Sequence, residues 1–161
     1  MTDSSGLLSG GPIVVGIEPG LPPSIVAAAE QLGLAFDCEV LFAYVELNSA
    51  LVELDSARTR TASSLKPEMD EEMTGIAAEL AGYLKSTLDG SGVRWAFHVL
   101  AGDPASALSR LAATTGARMF VVGTRRHGAM RRLEEFVSGS IAKELAMGQE
   151  RPVLLVPMSD R

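Results

Sequence analysis

Five short apolar runs, rich in β-branched residues, alternate with segments of helical periodicity, and this alternation limits the chain to few folds. The runs lie at residues 12–17, 39–45, 93–100, 119–123 and 152–156. Strands that are joined by helices form parallel sheets with right-handed crossovers. We therefore predict an α/β fold with an open five-stranded parallel sheet and helices on both faces.

Four segments between the runs repeat apolar residues at helical spacing. Gly33 is expected to weaken the end of the first helix. Asp103 and Pro104 predict the N-cap and first residue of the third helix, and a fourth is predicted over about 140–147. The second helix is predicted to carry five apolar side chains on one face: Met69, Met73, Ile76, Leu80 and Leu84.

Two stretches are less regular. Residues 46–67 show little periodicity, which predicts a loop or a frayed helical turn. In the run 93–100, bulky Trp95 and Phe97 alternate with smaller or polar residues such as His98. This alternation predicts one less buried face, as at the edge of a sheet.

The composition is that of one folded domain. The chain has 161 residues, of which 47% are hydrophobic, enough to bury one core and too apolar for disorder. No run approaches the roughly 18 apolar residues of a membrane-spanning helix, and residues 1–11 lack the features of a signal peptide. We expect a flexible lead-in over residues 1–11, a single domain over 12–158, and a cytoplasmic protein without membrane contact.

The net charge and the reactive residues argue against several further functions. The net charge of −6 argues against general nucleic-acid binding. Cys38 is the single cysteine, so no internal disulfide can form, and its apolar surroundings predict a buried side chain. His98 and His127 are too few for a zinc site. The chain has no Walker lysine, dinucleotide glycine motif or nucleophile elbow, so no catalytic residue is predicted.

The predicted ligand site lies beyond the carboxyl ends of the strands, where the strand order reverses. Three loops reach this end, and they begin at Glu18, Val45 and Gly123. The third is the most informative, because Gly-Thr is followed by a glycine-containing loop and by Ser-Gly-Ser at the start of the last helix.

Such a loop and helix start can bind phosphate. Glycines let backbone amides approach an anion, and a helix N-terminus presents free N–H groups. The candidate donors are Gly123, Thr124, Gly128, Ser138, Gly139, Ser140 and Ile141. The alternative is that Gly123 only ends a strand and that Ser-Gly-Ser only caps a helix.

The same stretch resembles the signature of the universal stress protein family. That signature is Gly, two residues, Gly, nine residues, then Gly-Ser or Gly-Thr, followed by a helix and a Pro-Val-Leu-Val strand. Gly123, Gly139-Ser140 and the strand from Pro152 to Val156 fit it. Gly102-Asp103-Pro104 and the opening Ile-Val-Val-Gly-Ile-Glu18 also fit, so the resemblance covers nearly the whole chain.

The resemblance implies strand order 3-2-1-4-5, as in adenine nucleotide alpha hydrolase-like folds, and frequent homodimers that pair along the fifth strand. Some members of the family bind ATP with Mg²⁺ or Mn²⁺, whereas others lack the glycines and do not. By the family pattern, Glu18 would lie near the ribose or the metal, and the Val45 backbone would contact adenine. The phosphates would be held by Gly123, Thr124, Gly139, Ser140 and Ile141.

The chain departs from this pattern in its loop. Arg126 occupies the position of the second glycine, Gly128 follows two residues later, and the spacer before Gly139 is three residues longer. The acidic residue after the first strand is Glu18 rather than Asp. Arg126 would block the phosphate position unless the rearranged loop with Gly128 restores it. The arginines at 125, 126, 131 and 132 either supply charge for phosphates or only belong to a solvated loop.

Two hypotheses follow. In the first, the chain is a stress-associated regulatory protein that binds ATP in a crevice between the first and fourth strands and hydrolyses it slowly at most. In the second, Arg126 fills the crevice, and the chain is a dimeric scaffold that binds no nucleotide. Both expect a homodimer, because the last strand would otherwise be an exposed apolar edge.

Overall fold

The computed structural model describes residues 10–46, 60–61, 75–125 and 141–158. Its strands are β1 (Ile13–Ile17), β2 (Val40–Glu46), β3 (Arg60–Thr61), β4 (Trp95–Ala101), β5 (Met119–Arg125) and β6 (Val153–Met158). Its helices are α1 (Pro23–Ala35), α2 (Gly75–Leu88), α3 (Pro104–Thr115) and α4 (Ile141–Gly148). The first nine residues of the predicted lead-in lie outside the described residues. No helix in the described ranges is long and apolar enough to cross a membrane.

The strands form one sheet in the order β3-β4-β2-β1-β5-β6. The five long strands all pair in parallel. In chain order they are the five predicted strands, so the expected order 3-2-1-4-5 is confirmed. The chain builds β1, β2 and β4 toward one side of the sheet and then adds β5 and β6 on the other side.

The prediction of a loop or frayed helical turn for residues 46–67 is wrong at β3. This strand pairs antiparallel with β4, with Arg60 opposite Val99 and Thr61 opposite His98. Two residues are too short for an alternating pattern, so the sequence carried no signal for this strand.

The helices cover the sheet in two layers, as the right-handed crossover rule requires. α1 and α2 pack on one face, which we call the α1/α2 face, over a core that includes Phe42, Phe97 and Val121. Cys38 is buried in this core, as predicted. α3 and α4 pack on the opposite α3/α4 face, over a core that includes Phe120 and Leu145.

Gly33 does not weaken α1, which continues to Ala35. The glycine is required by packing instead. A Cβ atom at this position would lie 2.6 Å from a Val40 methyl carbon and 2.7 Å from a Val93 methyl carbon. The missing side chain therefore lets α1 approach the amino ends of β2 and β4.

The predicted face of the second helix is only partly correct. Leu80 and Leu84 are buried, together with Ala77 and Leu88. Ile76 is 44% exposed, because it precedes the buried Ala77 by one residue and therefore points about 100° away from it. Met69 and Met73 lie outside the described residues.

The prediction that β4 has one less buried face is correct only in part, because the less buried face is the opposite one. Ala96 and His98 are both buried, like Phe97 between them. Ala96 belongs to the α3/α4 core and Phe97 to the α1/α2 core. Trp95 and Val99, on the same face as Phe97, are only half-buried, so the smaller and polar residues do not mark the exposed face.

The third helix begins as predicted. Asp103 has extended backbone angles, and its carboxylate accepts a hydrogen bond from the Ser106 amide at 3.0 Å. Pro104 occupies the first helical position, and Gly116 ends the helix with φ 65°.

Candidate functional site

The pairing between β1 and β5 stops early at the point where the strand order reverses. Pairing between β1 and β5 ends at Val15 and Val121. Pairing between β1 and β2 continues two residues further, to Ile17 and Tyr44. β5 meanwhile stays paired with β6 as far as Arg125. The ladder between β1 and β5 is therefore shorter than the ladders on either side of it, and we call this end of β1 and β5 the switch gap.

Gly123 directs its main-chain groups into the switch gap. The Phe120 amide donates to the Pro152 carbonyl at 2.9 Å, so residue 120 bonds toward β6. Main-chain groups alternate in direction along a strand, so the N–H and C=O of Gly123 point toward β1. In the same register Ile17 would pair with Gly123, but this pair is not formed. The absence of a side chain leaves the Gly123 amide open to close approach.

At this end of the sheet, Thr124 offers its side chain, because its main-chain groups are directed toward β6. Its main-chain groups point toward β6, where it lies opposite Pro157. Its side chain lies on the same side of β5 as Phe120 and Val122, on the α3/α4 face. α4 begins at this end of that face, and its first residue, Ile141, is 39% exposed.

Val45 ends the ladder between β1 and β2 with a carbonyl that β1 cannot use. The Ile13 amide donates to the Glu39 carbonyl at 2.9 Å, so odd-numbered residues of β2 bond toward β1. Continuing this pattern, the donor for the Val45 carbonyl would be the amide of residue 19. That residue is proline, which has no N–H. The Val45 side chain packs against the α3/α4 core, so its carbonyl is the group that faces the end of the sheet.

Glu18 follows β1 directly and is exposed. In the register that pairs Ile17 with Tyr44, Glu18 lies level with Val45. Burial raises the pKa of Tyr44, and the charge of Glu46 raises it further, so its phenol stays protonated at neutral pH. The carboxyl end of β2 thus combines acceptor oxygens with a protonated phenol.

The N-terminus of α3 also lies at this end of the sheet, but its own chain satisfies it. The hydrogen bond from the Ser106 amide lowers the pKa of Asp103, so the carboxylate stays charged against the helix dipole. A bound anion would have to displace this carboxylate. The N-terminus of α3 is therefore occupied by its own carboxylate, whereas Ser138, Gly139 and Ser140 precede α4 in the sequence.

The structure brings five of the nine predicted site residues to one end of the sheet: Glu18, Val45, Gly123, Thr124 and Ile141. Arg126, Gly128, Gly139 and Ser140 lie outside the described residues. Strand β5 contains Gly123, as predicted, and continues through Thr124 to Arg125, two residues beyond the predicted end. Sequence reasoning missed Pro19 as the residue that ends the ladder. Its signal was the Glu-Pro-Gly turn after the first run.

The described residues contain no group of three or more His, Cys, Asp or Glu side chains that could hold a metal ion. An ATP-bound Mg²⁺ takes most of its ligands from phosphate and water and needs only one or two carboxylates. Glu18 is the exposed carboxylate nearest to the end of β1.

The fold and the switch gap define a class: open parallel α/β proteins that bind ligands where the strand order reverses. The model of the universal stress protein family matches residues 11–157. The chain therefore belongs to the universal stress protein family. A search of curated protein sequences finds no match.

Solved structures with the same fold are universal stress proteins as well. One from Archaeoglobus fulgidus has a TM-score of 0.60 and 16% identity, over 91% of this chain and 93% of that one. The Archaeoglobus fulgidus protein in complex with dAMP has a TM-score of 0.59 and 16% identity, over 91% and 97%. A universal stress protein in complex with cAMP has a TM-score of 0.58 and 20% identity, over 92% and 98%. At these identities the likeness concerns the fold alone.

Proposed function

We propose that the chain binds an adenine nucleotide, ATP, in the switch gap and acts through nucleotide-dependent recognition rather than side-chain catalysis. The observation that carries this proposal is the pair of main-chain groups at the gap, the Val45 carbonyl and the Gly123 amide. The solved complexes with dAMP and cAMP support an adenine nucleotide as the ligand class.

The two main-chain groups suit opposite ends of a nucleotide. The Val45 carbonyl accepts a hydrogen bond from the 6-amino group of adenine, whereas guanine would present a carbonyl oxygen at the same place. The Gly123 amide donates to a phosphate oxygen. Neighbouring strands lie about 4.8 Å apart, so the two groups are within ~10 Å of each other across β1.

The remaining residues complete the binding site in the proposal. Thr124, Gly139, Ser140 and Ile141 supply a hydroxyl group and the N-terminal amides of the last helix to the phosphates. Glu18 accepts from the ribose hydroxyls or binds the Mg²⁺ or Mn²⁺ that accompanies ATP. Arg126 adds positive charge beside the phosphates, and Gly128 gives the longer loop the freedom that the family's second glycine provides.

The first test is to identify and titrate the ligand. Mass spectrometry of the material released by heating the purified protein is expected to find ATP or ADP. Calorimetric titration is expected to show tighter binding of ATP than of GTP. Gly139→Val should weaken ATP binding at least ten-fold, or about 1.4 kcal/mol, because a side chain would occupy the phosphate position. Gly82→Ala, at an exposed site on α2, is the matched control and should bind as the wild type does.

Pro19→Ala tests the adenine contact separately. The new amide can pair with the Val45 carbonyl and extend the β1–β2 ladder, so the preference for ATP over GTP should fall while phosphate binding persists. An empty protein whose melting temperature does not change with ATP would overturn the proposal and leave the scaffold hypothesis.

We also infer a homodimer that pairs through β6, with or without nucleotide. Leu154 is 37% exposed and Leu155 is 48% exposed on the two faces of this strand. In the described part of the chain, no strand pairs with the outer side of β6. Natural proteins usually cover such an edge. Light scattering at micromolar concentration is expected to give the mass of a dimer.

A further inference from the structure

We propose that residues 1–9 fold back on their own domain and place Leu7 and Leu8 on an apolar patch at the end of α1. The patch is formed by Leu32 and Phe36, and we call it the Phe36 patch. It lies at the amino end of the sheet, where α1 ends and β5 begins. The inference is therefore independent of the nucleotide proposed for the switch gap at the opposite end.

The two residues of the Phe36 patch lie on one side of α1. The Phe36 amide donates to the Leu32 carbonyl at 2.9 Å, so the last turn stays helical and the two side chains lie one turn apart. Leu32 is half-buried against the α1/α2 core, and Phe36 is 39% exposed. The patch therefore extends the α1/α2 core to an open apolar surface.

This side of α1 faces the start of β5. Arg118 directly precedes β5, and its guanidinium carbon lies 5.1 Å from the centre of the Phe36 ring. Leu34 is also exposed, but it follows Leu32 by two residues and points about 200° away from it. The exposed apolar residues at the end of α1 thus belong to two surfaces, and only the Phe36 patch lies beside Arg118.

The described chain begins next to the same guanidinium. The Gly11 carbonyl accepts a hydrogen bond from Nε of Arg118 at 2.9 Å. On its other side Gly11 packs against the end of α3, where a Cβ atom would overlap the Gly116 carbonyl oxygen. Gly10 and Gly11 have φ 73° and 79°, which glycine adopts without strain. Arg118 therefore holds the entry of the chain beside Phe36.

The chain before this entry carries the apolar side chains that fit the patch. Apart from Met1, Leu7 and Leu8 are the large apolar residues of the segment 1–9, and they are close to the anchored glycines. Leu8 precedes Gly11 by three residues, which span at most about 10 Å when extended. A single guanidinium separates Gly11 from the Phe36 ring. Leu8 is therefore within reach of the patch, and burying it there removes apolar surface from water.

Engineered cysteine pairs test which side of α1 the segment covers. The patch pair is Leu8→Cys with Leu32→Cys, and the control pair is Leu8→Cys with Leu34→Cys. Both carry Cys38→Ala, so that the two new thiols are the only ones. A disulfide needs Cα atoms within about 7 Å, and the two positions on α1 differ in side much more than in distance along the chain.

With oxidised glutathione, the patch pair is expected to form an intramolecular disulfide at least ten-fold faster than the control pair, as measured by thiol alkylation and mass spectrometry. Equal rates would overturn the docking and leave the patch to another partner. Covalent dimers of the patch pair on non-reducing gels would assign the patch to the segment of a second copy, and would overturn docking within one chain.

A second measurement leaves α1 unchanged, since Leu32 is half-buried and its replacement affects the core. Leu8→Cys and Thr2→Cys, each with Cys38→Ala, are alkylated with iodoacetamide. Thr2 precedes Leu8 by six residues, so its thiol is expected to stay accessible. The thiol at position 8 should react at least three-fold more slowly than the thiol at position 2. Equal alkylation rates would overturn the proposal.

Discussion

The two edges of the sheet differ in whether another strand of the chain pairs with them. At one edge, β4 buries Ala96, Phe97 and His98, and β3 of the same chain pairs with its outer side. At the other edge, β6 leaves Leu154 and Leu155 exposed on opposite faces, and in the described ranges its outer side has no strand. Both strands are apolar, so hydrophobicity alone does not decide their exposure.

The two edges therefore differ in how their main-chain hydrogen-bonding groups are paired. β4 needs its own chain because it lies between two helical layers, and its main-chain groups would otherwise be hidden from water. The outer side of β6 has no paired strand in the described ranges. One edge is therefore completed by the chain itself, and the other is not completed by any described residue.

The largest expected effect is on stability at the edge formed by β3 and β4, which we call the covered edge. Phe97→Ala removes a fully buried ring from the α1/α2 core and should lower the free energy of unfolding by about 3–5 kcal/mol. Leu155→Ala, on the open edge, should lower it by less than about 1 kcal/mol in the monomer, since half of the side chain is already exposed. Urea unfolding at several protein concentrations separates monomer stability from pairing. Equal losses of unfolding free energy for the two variants would contradict the difference between the two edges.

Much of the fold was predictable because its signals are local. Apolar runs gave the strands, and Asp103 with Pro104 gave the start of α3, since capping requires few residues. Exposure was not predictable in the same way. The alternation around His98 predicted an exposed face, whereas the burial depends on α3, which packs on β4 from later in the chain.

A second prediction concerns how α1 reaches the covered edge. Gly33→Ala should lower the free energy of unfolding by about 1–2 kcal/mol, because the clash with Val40 and Val93 exceeds the gain in helix propensity. Gly82→Ala is the matched control: the same change in α2 meets no atom within 4 Å. It should raise the free energy of unfolding by about 0.5–1 kcal/mol. Thermal or urea unfolding measures both. If Gly33→Ala and Gly82→Ala change the free energy of unfolding in the same direction, packing does not require a glycine at position 33.

The candidate site was predictable in part for a different reason. The resemblance named Val45 and Gly123, but it could not say why their backbones are available. That depends on the register: the ladder between β1 and β5 stops at Val15, and Pro19 cannot continue the one between β1 and β2. Register is set by pairing across the sheet and not by neighbouring residues.

The smallest expected effect is a pH dependence at the covered edge. His98 is 6% exposed, and burial lowers its pKa below the ordinary 6.5. Its cross-strand neighbours in the register, Ala43 and Thr61, are not ionisable. Below pH 6.5 the unfolded chain therefore binds a proton that the folded chain does not, so stability falls as the pH decreases from about 6.5 toward the folded pKa. Well above pH 6.5 neither state binds this proton, and the contribution to stability is complete.

Urea unfolding between pH 5 and 7 measures this slope. His98→Gln should flatten it, because the amide is polar but does not titrate. A slope that survives His98→Gln would assign the proton to another group. Desolvation causes the pKa shift, so the slope of stability against pH also reports how far water is excluded from His98. A variant that lets water reach His98 should bring its pKa back toward 6.5 and reduce the slope.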